Sequence, residues 1–160
     1  MTWFRRQHEA ASPNAEPDAT DSPAALLQDL FGLIAFINQN AGRLPGESVV
    51  AARRVTDAVR DVIDTADHDK LDIYAVVSVK GLVNDYLPTT LRAYLALDAE
   101  AVDVARANGR TPKESLLDQL NSLWSGASDV RAAARARDAD ALASQGSFLR
   151  TKFTGSDLDL

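Results

Sequence analysis

Cysteine is absent from this 160-residue chain, and histidine occurs twice. Without cysteine there are no disulfides, thiolate nucleophiles or cysteine-ligated metals, which fits a cytoplasmic protein. Only His8 and His68 remain as imidazole bases, whereas serine or threonine nucleophiles usually need a base oriented by a third group. Positive charge is also scarce. Seventeen Lys and Arg against 23 Asp and Glu give a formal charge of −6, the wrong sign for a protein whose main partner is nucleic acid. Neither G-x-x-x-x-G-K-[ST] nor G-x-G-x-x-G occurs, so no familiar phosphate-cradling loop is encoded. The apolar run Leu30 to Ile37 is far short of the roughly 20 residues that span a bilayer. Met1 to Arg6 is not followed by the apolar region of a secretion signal.

What is abundant is alanine and leucine in helical spacing, within a hydrophobic content of 46%. Alternation of apolar and polar residues is missing, and the prolines and glycines fall mainly between periodic segments. The expectation is an all-α fold, an antiparallel helical bundle of about five to six helices in one domain. That domain spans 22–154, after a flexible polar arm (1–21) and before an acidic tail (155–160).

The first helix should open with Ser22 as N-cap and Pro23 at its first position, and close near Asn40. Its dense apolar content, from Leu26 to Ile37, predicts a core helix surrounded by others. After a turn at Arg43-Leu44-Pro45-Gly46, an amphipathic helix is expected from Glu47 to Ala66. Asp61, Asp64, Asp67, Asp69 and Asp72 surround His68 without calcium-loop spacing, which reads as a solvated corner with Asp67 or Asp69 capping the next helix. That third helix, from Asp69 or Lys70, should turn Ile73, Val76, Val77, Val83 and Leu87 inward, with Gly81 as a weak point. Tyr86 to Leu97 continues the stripe through Leu87, Leu91 and Leu95, and Pro88 requires a kink or a break. Asp98 to Gly109 is a short surface helix or ordered loop, with Val102 and Ala105 as its inner face. Thr111-Pro112-Lys113-Glu114 is a capping box that starts a long helix, with Leu116, Leu120, Leu123, Trp124 and Val130 on its buried side. A last helix from about Asp140 to Phe153 offers Leu142, Phe148, Leu149 and Phe153 to the bundle.

No catalytic, cofactor-binding or metal-ligating set is assigned. The partner-contact candidates are Tyr86, Pro88 and Arg92 on the bent stripe, and Arg131 and Arg135 in a basic corner completed by Arg137. Trp3, Phe4, Arg5 and Arg6 are candidates for contact with an anionic membrane surface. The Tyr86 to Leu97 segment, Ser115 to Leu123 and Gly146 to Phe153 together resemble the C-terminal helical part of the XpaC family. Those proteins are described as 5-bromo-4-chloroindolyl phosphate hydrolysis proteins and are associated with TelA-type toxic-anion-resistance proteins. The resemblance implies a helical interaction module in an envelope-stress or anion-resistance setting, with a TelA-like protein as partner. Its phosphatase label implies instead a metal-dependent phosphoester hydrolase built on carboxylates between Asp61 and Asp72. A peripheral membrane adaptor held by the Trp3-Phe4 tip is the third reading.

Overall fold

The computed structural model describes residues 19–68 and 70–154; the Trp3 to Arg6 tip, His8, Asp69 and the acidic tail lie outside them. It is an all-α bundle. The described residues contain no strand, only an isolated antiparallel bridge between Asp67 and Lys70. Helix α1 spans Pro23–Asn40, with the Ser22 hydroxyl accepting the Ala25 N–H at 3.2 Å. Helix α2 spans Gly46–Ile63 and α3 Ile73–Gly81. A π-helical turn over Leu82–Tyr86 then leads without a break into α4, Leu87–Leu95. Helix α5 runs from Pro112 to Ala136, and α6 from Ala139 to Thr154.

The π turn is how the chain accommodates Pro88. A proline lacks the N–H that would bond four residues back, and its ring presses on that carbonyl. One wider turn just before it, in which the Leu87 N–H donates to the Leu82 carbonyl, shifts the bonding register and lets the helix continue. Gly81 is part of the same device. The Tyr86 ring folds back over it, so that a Cβ there would meet Tyr86 Cε2 at 2.8 Å. The weak point read from Gly81 is therefore the space that the ring occupies.

Successive helices run up and down. Asp21 pairs with Lys80, Asn84 donates to Asp29, and Arg92 lies over the Phe36 ring, so α1 runs alongside α3 and α4 in the same direction. Arg54 stacks on Trp124 at 3.8 Å and Arg131 reaches Asp61, which sets α2 beside α5. Helices α2 and α5 share the centre of the bundle, each with nine buried residues, and this corrects the role expected of α1. Nine α2 residues are buried, among them Ser48, Ala51, Ala52, Thr56 and Ala58, whose small side chains let α1 and α5 approach from different sides. Helix α1 buries only Leu26, Leu30, Leu33 and Ile37 and leaves Phe31 half exposed.

Other boundaries and faces shift as well. Helix α3 is capped by Asp72, whose carboxylate accepts the Tyr74 N–H at 2.9 Å, and so starts later than Asp67 or Asp69 would have set. Ile73 and Val77 point outward; Ala75, Val76, Val79, Leu82 and Val83 point in. The offset arises because the π turn moves the α3 stripe relative to the α4 stripe by about one residue, which a single helical period across Pro88 misplaces. Residues 98–110 form an ordered loop in which Val102 packs on the core and Ala105 is exposed. At the other end Asp138 caps α6 by accepting the Ala141 N–H, Leu142 and Leu149 are buried, and Phe148 stands half exposed.

Candidate functional site

The residues predicted for partner contact on the bent stripe do not form one outer surface. Pro88 is buried, and its position in the core removes it from any outer surface. Leu87, Leu91 and Tyr94 are buried with it, so the bent stripe is bundle core. Tyr86 is partly covered by Phe153, the ring centroids lying 5.5 Å apart. Burial, reinforced by Asp85 and opposed by Arg150, raises the Tyr86 pKa. Arg92 is exposed, its guanidinium resting over Phe36.

The basic corner is tied to carboxylates distant in sequence. Arg131 and Arg135 both donate to Asp61 Oδ2, at 3.2 and 3.1 Å, and Arg137 lies 3.4 Å from Asp67. The neighbouring Asp138 and Asp140 do not play this part. Arg137 adopts a left-handed backbone (φ 54°) that ends α5 and releases Asp138 to cap α6. His68 also takes a positive φ, in the turn closed by the Asp67 and Lys70 backbones. Its side chain is 95% exposed and meets Asp67 at 3.6 Å. Among the described residues no three of His, Cys, Asp and Glu converge as metal ligands would.

What periodicity did not disclose is an apolar surface on α3. Ile73 is 60% exposed, Val77 49% and Tyr74 44%. Residues 73, 74 and 77 share one helical face, and 80 extends it by a further turn. Asp72 stands at one end of that face and Lys80, paired with Asp21 at 2.6 Å, at the other. Three large apolar side chains grouped on successive turns are unlike the scattered single ones that surfaces normally carry.

Two open hollows lie elsewhere on the bundle. One, of about 640 Å³, lies between α5 and α6 and is lined by polar groups including Asp118, Ser125, Asp129 and Gln145. The other, of about 430 Å³, lies where the α1–α2 connection meets the end of α4 and the 98–110 loop. Beside the second, Lys113 pairs with Asp103 at 2.7 Å, and that bond raises the lysine pKa. The Tyr94 pKa is raised too, first by burial; nearby Lys113 lowers it and Asp103 raises it.

These shifts have one sign for stability. A folded pKa above the unfolded one contributes stability that is complete below the ordinary value and lost as pH rises through the folded value. The ordinary values are 10.0 for the two tyrosines and 10.5 for Lys113. Stability from these groups should therefore hold through neutral pH and decline above about pH 10. Urea unfolding at closely spaced pH values should show it, with a shallower decline in Tyr94→Phe.

The chain is thus an all-α helical bundle with an exposed apolar face on its third helix. No described helix is long and apolar enough to cross a membrane. Comparisons with protein-family models, curated proteins and solved structures give no match to the chain.

Proposed function

We propose that the protein is a non-enzymatic helical interaction module that docks a partner on the outer face of α3. The observation that carries this reading is the grouping of Ile73, Tyr74 and Val77 at the surface, each between 44% and 60% exposed. Burying such side chains against a partner gains about 25 cal/mol per Å² of apolar surface, before the costs of association are subtracted. Helical spacing of the anchors suits an amphipathic helix laid along α3. The formal charge of −6 favours a partner whose margins are basic. The resemblance to XpaC proteins names the first partner to try, a TelA-type protein, and the setting, resistance to toxic anions or envelope stress.

The test uses the intact chain and a Val77→Asp variant. Val77 is half exposed, so the carboxylate stays in water and Tm should change little. A partner retained by the wild-type chain from its host should be lost at least tenfold in the variant. Equal retention by both chains, or no specific retention by either, would refute the reading. Sedimentation of the protein alone identifies the case in which the bound partner is a second copy.

A further inference from the structure

The cleft at the far end of the bundle has the chemistry of a small-molecule site, and we propose that it binds an apolar monocarboxylate. Its volume, about 430 Å³, lies in the roughly 300–1,000 Å³ range of ligand clefts. Part of the wall is apolar: Leu44 and Pro45 from the α1–α2 connection, Leu95 and Leu97 from the end of α4, and Val102 from the loop. Polar groups are few and of one kind. Arg43, Tyr94 and Lys113 face the cleft, and no carboxylate lines it. Asp103, just outside the lining, neutralises Lys113, so Arg43 is the cation at the cleft with no carboxylate partner among the described residues.

Each of the three has donor capacity for a carboxylate. The Tyr94 ring is buried, while its hydroxyl has no hydrogen-bond partner among the described residues. With its pKa raised by burial, the phenol keeps its proton at neutral pH and can donate. Lys113 uses one of its three donors on Asp103. Arg43 donates to the Leu95 carbonyl at 2.9 Å, which fixes its side chain across the mouth of the cleft, and a guanidinium has further N–H groups to offer. A carboxylate held by these donors directs its alkyl or aryl body onto Leu44, Leu95 and Val102. The arrangement discriminates against an alcohol, which leaves the Arg43 charge uncompensated, and against an amine, which Arg43 repels; Lys113 is already paired with Asp103.

Octanoate is the probe, added to the full-length, isotope-labelled protein and followed by backbone amide shifts. Saturable shifts confined to residues 42–45, 94–102 and 113 are expected, with at least tenfold weaker binding of octanol and octylammonium. Tyr94→Phe keeps the ring packing and should weaken octanoate binding at least tenfold, the order of one lost hydrogen bond to a charged group. Val102→Glu, a change at a half-buried loop position, should abolish binding by placing a carboxylate in the cleft. Shifts spread over the α3 face, equal binding of acid and alcohol, or no saturation would each overturn the proposal. The α3 reading is untouched by any of these results, because the cleft and that face share no residue.

Discussion

Replacing Leu91 with alanine should destabilise the protein by about 2–5 kcal/mol, the cost of a fully buried leucine removed from a core that relaxes only in part. Leu91 is 0% exposed, on the α4 face that joins the main cluster of buried side chains. For a chain of this length that loss lowers Tm by roughly 5–15 °C. The neighbouring Arg92→Ala change should cost less than about 1 kcal/mol, since an exposed guanidinium over a ring contributes little. Thermal and urea unfolding of the two variants checks both values. Near-equal stability would mean that the Tyr86 to Leu97 stripe is an outer surface after all, and the bundle core would have to be redrawn.

A second large effect is expected where α6 crosses α5. Gly126 is buried, and a Cβ built on it would lie 2.6 Å from Leu149 Cδ2. Leu149 is itself 1% exposed, so it has little room to rotate away. Gly126→Val should therefore cost about 1–3 kcal/mol through overpacking, despite the better helix propensity of the new residue. The damage should be local, because α6 packs against α3 and α5 while α1 and α2 lie elsewhere. Amide exchange in α6 should accelerate well before that in α2. Combining Gly126→Val with Leu149→Ala should restore part of the loss relative to the sum of the single changes, since contacting residues are not additive. Additive effects would show that the two helices do not meet at this point.

The two expectations differ in how visible they were beforehand. Leu91 belongs to a four-residue repeat that any helical reading buries. Gly126 sits between Ser125 and Ala127 with nothing in its neighbourhood to mark a helix crossing. Its role depends on Leu149, which lies on another helix. The same division runs through the candidate sites. The basic character of Arg131 and Arg135 is plain in the chain, but their shared acceptor, Asp61, is 70 and 74 residues away. The exposed face of α3 was hidden for a different reason. Ile73 and Val77 carry the same apolar side chains as their buried neighbours, and composition cannot tell an inward valine from an outward one.

Local signals fixed what local physics controls. Ser22 with Pro23, and the Thr111 box with Pro112, set the beginnings of α1 and α5, because a cap needs only the residues of one helical turn. Leucine and alanine spacing likewise committed the chain to helices, with no strand alternative to compete. The packing partners, by contrast, were decided only when the chain closed on itself. Small residues let α2 and α5 take the centre in place of the more hydrophobic α1, since close approach rewards side chains that leave room. The π turn before Pro88 then chose which side of α3 met the core and which faced water. Both outcomes depend on the fit between surfaces far apart in sequence, and that fit exists only in three dimensions.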